Sequence, residues 1–238
     1  MAPRSTSSSI TAAKNDHVMD FFGNLVGAMA QPGRRVISVL LVDRSLSMKG
    51  YETPVMDAVN DHLRDIKDPP DKSAQYAMVV TFNDGYRISV PLSPAATVNP
   101  MTSYVPKGNT LLYETIYLVL KLFTTAYRQL NTDQRRDLVI AMGIFTDGKD
   151  NQSPRAKYPA KLVQLVREAR AMGFHFYTYG FRFDAVAIAE QMGMPTDDDH
   201  AKSFDKNPAD FAAAGQHFSH STTTFFGGEH FRPGSKTT

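Results

Sequence analysis

The stretch Val36–Gly50, VISVLLVDRSLSMKG, opens as a run of apolar β-formers, breaks at Asp43 and sets Ser45 and Ser47 at alternate positions behind it. A short apolar run of this kind reads as a strand covered on both faces, as at the centre of a parallel sheet. Such a strand has no packing reason to end in a carboxylate and two hydroxyls. Oxygen donors gathered at its carboxyl end point to a site, because ligands of open α/β sheets bind beyond that edge.

The sequence on either side alternates to match. YETPVMDAVNDHLRDIK carries Val55, Val59, Leu63 and Ile66 on one helical stripe. QYAMVVTF and YRISVPL are strands joined by Asn83-Asp84-Gly85, residues that tolerate the positive φ of a tight hairpin. NTLLYETIYLVLKLFTTAYRQL predicts a long helix, apolar nearly all round from Leu111 to Phe123 and therefore central and covered. DLVIAMGIFTDG is a second buried strand, and PAKLVQLVREARAMG a helix striped by Leu162, Leu165, Val166 and Ala169. FHFYTYGF is a strand, Asp184 to Met192 a short helix, HAKSF a short edge strand and PADFAAAGQHF a last helix. Strands alternating with helices pair in parallel through right-handed crossovers, which put helices on both faces. The expected fold is α/β: a Rossmann-like open, mostly parallel central sheet with one antiparallel edge strand.

This body spans residues 35–220. Ahead of it, 1–34 divides into a Ser/Thr-rich segment over 1–14, expected to be disordered, and a short helix over roughly 16–29. There Val18, Phe21, Phe22, Leu25, Val26 and Met29 recur at helical spacing, with Asn15 or Asp16 as the cap. Asp16, His17, Asp20 and Asn24 interrupt the apolar stretch, which favours an amphipathic helix over a cleaved signal peptide. Residues 221–238 read as a tail.

The chain of 238 residues carries a formal net charge of +2 and no cysteine. Disulfides, thiolate metal sites and cysteine nucleophiles are thereby excluded, and the composition suits a reducing cytosol. Basic residues are scattered among acidic ones, as in DHLRDIKDPPDK, so no electrostatic footprint for nucleic acid is visible. The pairs Arg34-Arg35 and Arg135-Arg136 read as solvated loop charges. No apolar stretch approaches the ~20 residues of a membrane-spanning helix. The expectation is a cytoplasmic protein that engages neither nucleic acid nor membrane.

Three segments of the carboxyl rim supply the candidate site. Asp43, Ser45 and Ser47 follow the first strand, Asp147 ends the strand DLVIAMGIFTDG, and Thr110 in KGNT precedes the long helix. All are hard oxygen donors, a set that suits Mg²⁺ (with Mn²⁺ or Ca²⁺ as substitutes) and not zinc. Taken singly, each residue has a plain structural role: Asp43 or a serine would cap a helix, and Asp147-Gly148 would make a turn. Five at one rim favour a cation, since burying carboxylates together without one is costly.

In these residues the chain resembles the von Willebrand factor A (vWA) domain with its metal-ion-dependent adhesion site. The family's Asp-x-Ser-x-Ser stands here as DRSLS, its distant threonine as Thr110 in GNTLLYETI, and its later aspartate as Asp147 in FTDG. The resemblance covers residues 35–220. It implies that Ser45 and Ser47 coordinate the ion through their hydroxyls, that Thr110 binds directly or through water, and that Asp43 and Asp147 act through bridging water. Leu46 stands where the family usually has glycine. A positive φ there would cost leucine about 1 kcal/mol or more, so either the loop takes another conformation or the metal geometry is altered. Gly50, three residues on from Ser47, still permits close backbone approach.

The implied function is that of an adaptor and not an enzyme. A cation with few full negative charges around it stays electrophilic, and an Asp or Glu of a partner protein completes its coordination. The chain resembles the stand-alone intracellular bacterial vWA proteins, which implies an ATPase or a stress or conflict-system component as the partner. Two other classes compete. A Mg²⁺-dependent phosphatase or phosphotransferase also places an aspartate at the end of its first strand, but needs a second carboxylate two residues on, where Ser45 stands. A metal-independent module would instead use the Phe-rich termini, Phe21-Phe22 and Phe225-Phe226. The acidic loop Thr196–His200 is expected to be solvated, and His217, His220 and His230 to bind nothing.

Overall fold

The computed structural model describes residues 22–154 and 158–226. In chain order these form α1 (22–30), β1 (Arg35–Asp43), α2 (Glu52–Asp65), β2 (Ala74–Phe82), β3 (Tyr86–Pro94), α3 (Leu112–Arg128), α4 (Thr132–Arg136), β4 (Leu138–Thr146), α5 (Tyr158–Ala171), β5 (Phe174–Phe181), α6 (Ala185–Met192), β6 (Ala201–Phe204) and α7 (Pro208–Thr223). The six strands lie in the order β3-β2-β1-β4-β5-β6. β3 runs antiparallel to β2 and every other pair is parallel, the expected mixed sheet with one antiparallel edge. β1 pairs with β2 on one side and β4 on the other. The winding reverses at that seam, and the crevice beyond it is where an open sheet of this kind receives ligands.

The alternating directions of strand side chains sort the core into two layers. Ile37, Val39 and Leu41 of β1 face one cluster, with Leu25 and Met29 of α1, Ile116 and Phe123 of α3, Leu162 of α5 and Ile188 of α6. Leu40 and Val42 face the other, with Val55 and Val59 of α2 and Phe211 and Phe218 of α7. Both faces of β1 and β4 are thus covered along their full length, which is why these strands carry apolar residues at successive positions. Close approach of the second layer uses small residues. A Cβ on Gly143 of β4 would meet the Phe218 ring at 3.0 Å, and one on Gly215 would meet the Ala58 carbonyl oxygen at 2.9 Å. Between α2, β1 and α7 the buried His62 links Ser38 (Nε2 to Oγ, 3.0 Å) with Ser219 (Nδ1 to Oγ, 3.1 Å). Ser219 gives its own proton to the Gly215 carbonyl, so His62 Nδ1 carries the hydrogen. The Ser38 hydroxyl lies between Nε2, at 3.0 Å, and the Tyr76 carbonyl, at 3.3 Å, and in the neutral ring Nε2 takes its proton.

Several boundaries differ from the sequence reading. α1 buries Leu25 and Met29 completely in the core of the sheet, so this helix is an integral part of the body. Its proposed caps, Asn15 and Asp16, and residues 1–14 lie outside the described residues, as do Phe21, His230 and residues 227–238. Residues 221–223, read as tail, form the last turn of α7. Beyond it the Phe225 ring lies 4.6 Å from that of His175, and Arg34 stacks over Phe226. α3 is not covered all round: Lys121 and Thr125 are exposed, and Tyr117 and Leu118 half-buried. α4 was not foreseen; its five residues are secured by a capping box between Asn131 and Gln134. Arg35 is no solvated loop charge. It is the first residue of β1, buried, and its guanidinium donates to the Gly33 and Gln134 carbonyls.

Candidate functional site

The rim beyond β1 and β4 brings the DRSLS loop, the loop before α3 and the loop after β4 together. Asp43, fully buried, ends β1. One carboxylate oxygen accepts the Ser45 N–H at 2.8 Å and the other the Thr146 hydroxyl at 2.7 Å, while the Tyr104 hydroxyl donates to the Asp43 carbonyl. Burial pushes the Asp43 carboxyl up to about 6, against the pull of the hydrogen bonds from Thr146 and Ser45 and with a push from the Asp147 charge. Ser45 Oγ lies 2.9 Å from Ser47 Oγ, and the Ser47 hydroxyl donates to Asp147 Oδ1 at 2.8 Å. Each serine has one proton to give. Since that of Ser47 goes to Asp147, Ser45 donates to Ser47, and the two hydroxyls and the carboxylate form one directed chain.

Thr110 is buried and reaches this rim through its backbone. Its N–H donates to Asn151 Oδ1 at 2.8 Å and its carbonyl accepts the Asn151 N–H at 3.2 Å, four residues after Asp147. Two positions earlier, Gly108 accepts the Leu46 N–H at 3.0 Å, tying the threonine loop to the serine loop. The start of α3 is held by the loop after β4. Asp150 Oδ2 accepts the Tyr113 N–H at 2.6 Å and Ser153 Oγ the Glu114 N–H at 3.0 Å, so a carboxylate and a hydroxyl satisfy the first free N–H groups of the helix. The five candidate residues therefore share one rim. Ser45, Ser47 and Asp147 are linked side chain to side chain, Asp43 lies behind them, and Thr110 is held alongside by Asn151.

Leu46 resolves in favour of another conformation. Residues Leu46–Met48 form a single 3₁₀ turn, and among the described residues the non-glycine positions with positive φ are Lys72 and Arg182. The leucine therefore bears no left-handed strain, and the residue stands 57% exposed on the rim. Gly50 takes the positive φ instead, at 91°.

The sequence reading missed Thr146, Tyr104, Asn151 and Lys206. Thr146 was legible in principle, being the residue before Asp147 at the end of a strand parallel to β1. Asn151 and Tyr104 lie close in sequence to Asp147 and Thr110 but in no pattern that marks them, and Lys206 reaches the rim from a loop far away in sequence. Lys206, on the link between β6 and α7, donates to the Asp147 carboxylate and to the Ser47 carbonyl. Of the residues expected to be inert, His217 Nδ1 lies 2.9 Å from the Tyr179 hydroxyl, and His200 Nδ1 2.6 Å from Asp197 Oδ1. His217, His220, His200 and His175 line a cavity of about 420 Å³ beside β5. No helix among the described residues is long and apolar enough to cross a membrane.

The chain is thus a Rossmann-type α/β domain with oxygen donors gathered at the switch point of its sheet. A sequence model of the von Willebrand factor type A domain matches residues 37–217, and the chain belongs to that family. Among solved structures it is similar to a von Willebrand factor type A protein from Catenulispora acidiphila, with 15% identity over 82% of this chain and 43% of that one and a TM-score of 0.52. It is similar to proximal thread matrix protein 1 of the mussel byssus (15% identity, 79% of this chain and 48% of that one, TM-score 0.55). It is also similar to the vWF domain of the type V pili tip protein Mfa5 from Porphyromonas gingivalis (12% identity, 87% and 99%, TM-score 0.54). At these identities the likeness is one of fold. The chain spans less than half the length of the first two proteins. No curated protein matches it.

Proposed function

We propose that this vWA domain is a metal-dependent protein-binding adaptor that holds Mg²⁺ at the rim and recognises an acidic side chain of a partner protein. The observation that carries the reading is the chain Ser45–Ser47–Asp147, with Asp43 oriented behind it, at the switch point of the sheet. The donor set fits a hard cation: hydroxyl and carboxylate oxygens from three loops, with no nitrogen or sulfur among them. Ser45 and Ser47 are the residues that would hold the ion directly and Thr110 directly or through water, with Asp43 and Asp147 behind them through water. The bound ion would supply an electrophilic position that a carboxylate can fill.

The chain's own residues prepare that position. The Ser45 N–H and Thr146 hydroxyl fix the Asp43 carboxylate, and Asn151 and Gly108 fix the threonine loop against the serine loop. Exposed Leu46 stands beside the serines and gives a partner an apolar contact next to the polar one. Ser45 occupies the position where a phosphotransferase of this architecture would carry its acid, so the binding reading is preferred to the enzymatic one. Lack of cysteine supports a cytoplasmic setting of the bacterial intracellular type, and the partner we favour is an ATPase or a stress or conflict-system component.

Affinity capture in magnesium, in chelator and with Asp43→Ala or Thr110→Ala tests this. The reading requires a partner retained in magnesium and lost in the other three cases. A partner retained equally in all four refutes it, and phosphate release from a generic ester, abolished by Asp43→Asn, would favour the enzyme instead.

A further inference from the structure

Lys206 belongs to no motif, yet its ammonium sits inside the candidate site. It donates to Asp147 Oδ2 and to the Ser47 carbonyl, and stands 4.7 Å from the centroid of the Tyr51 ring. The lysine side chain is 7% exposed and that of Asp147 3%, so the pair is withdrawn from water. Both Asp147 oxygens are engaged, Oδ1 by the Ser47 hydroxyl and Oδ2 by the lysine. A buried carboxylate left without a cation is strongly unfavourable. Here the chain provides one.

We propose that Lys206 is a tethered cation that balances Asp147 when no divalent ion is present, and that an ion enters the rim only in competition with it. The inference rests on the metal reading above and deepens it. Two carboxylates face the site, Asp43 and Asp147. With the ammonium and a divalent ion both in place, three positive charges would oppose two negative ones beside an aspartate side chain that is 3% exposed. An ion drawing on Asp147 must therefore displace the ammonium or share its oxygen. Lysine suits the first course, since its compact charge rides on a flexible four-carbon stem. Tyr51 precedes α2, and Lys206 stands one residue before Asn207, the cap of α7. The ammonium thus also ties the β6–α7 link to the serine loop.

The test uses the full chain, Lys206→Met, which keeps the stem and removes the charge, and Lys206→Met/Asp147→Asn. Urea unfolding in chelator and calorimetric titration with magnesium alone are the readouts. In chelator, Lys206→Met unfolds at lower urea than the unaltered chain, and the added Asp147→Asn restores much of the loss. Magnesium binds Lys206→Met at least tenfold more tightly and raises its urea midpoint more. Equal magnesium affinity of the two chains overturns the competition, and an unchanged midpoint in chelator overturns the tethered cation. Magnesium binding by neither chain refutes the metal reading and the competition together, whereas rescue by Asp147→Asn would still support the charge pairing. Should Lys206→Met fail to fold in chelator, the double variant decides: its folding supports the pairing, and its failure to fold overturns it.

Discussion

Asp43 and Thr146 meet across the seam between β1 and β4, where the Thr146 hydroxyl donates to Asp43 Oδ2 at 2.7 Å with both residues fully buried. The bond orients the carboxylate from behind, leaving the serine loop free to organise the front. Thr146→Val keeps the shape and removes a hydrogen bond to an acid in a dry setting, a change worth about 1.5–3 kcal/mol when the acid is charged. We expect a lower urea midpoint and weaker magnesium binding in Thr146→Val, and near-native values for both in Thr146→Ser. Unchanged magnesium binding in the valine variant would detach Thr146 from the site.

Gly108 carries a positive φ of 71°, and a Cβ there would lie 2.0 Å from Asp84 Oδ2. Asp84 in turn accepts the Asn109 N–H at 2.8 Å, so the clash falls on the loop that delivers Thr110. Gly108→Ala should cost about 1 kcal/mol or more in backbone strain alone. Adding Asp84→Ala relieves the clash but not the strain, so the double variant should recover part of the stability. Magnesium binding should weaken in the single variant; if calorimetry finds it untouched, the threonine loop does not serve the ion.

His62 is fully buried and desolvation lowers its pKa to about 3. In the unfolded chain it titrates near the ordinary histidine value of about 6.5. As pH falls below that value the unfolded state binds a proton that the folded state refuses. Stability is therefore complete above about 6.5 and is lost as pH drops toward the folded value, by up to about 1.4 kcal/mol per pH unit. Urea unfolding of the unaltered chain and of His62→Gln between pH 7 and pH 5 isolates this, because the comparison cancels the carboxylates. The unaltered chain should show the steeper loss. Parallel curves would mean that the histidine is not held neutral.

Leu46, exposed on the 3₁₀ turn beside the serines, has little to do for the fold. Leu46→Ser should change stability by no more than about 0.5 kcal/mol, as surface substitutions usually do, while capture of the partner in magnesium weakens. If capture is undiminished, the apolar contact assigned to this residue is wrong.

The layers of the fold were legible because β1 and β4 are covered on both faces and write that fact as successive apolar residues. Val55, Val59 and Leu63 declared α2 by their spacing, and the Asn-Asp-Gly turn declared the hairpin. What escaped depends on tertiary contact. Nothing in Leu25 and Met29 tells a core helix from an appendage, and Arg35 looks like any basic pair until the Gly33 and Gln134 carbonyls close around it. At the site, Asp43, Ser45 and Ser47 were visible because one short loop carries them, and Thr110 and Asp147 because they stand at element ends. Lys206 reaches Asp147 across 59 residues from a four-residue strand's far end. Local pattern cannot announce such a contact.

The central claim is that Ser45 and Ser47, with Thr110 beside them, hold a divalent ion. Crystals of the full chain grown in millimolar manganese, with anomalous difference density recorded for the unaltered protein and for Asp43→Ala, test it most directly. The account predicts one peak within coordination distance of the Ser45 and Ser47 hydroxyls, lost or much reduced in Asp43→Ala. A rim without a peak in well-ordered crystals of the unaltered chain, or a peak untouched by Asp43→Ala, would contradict it.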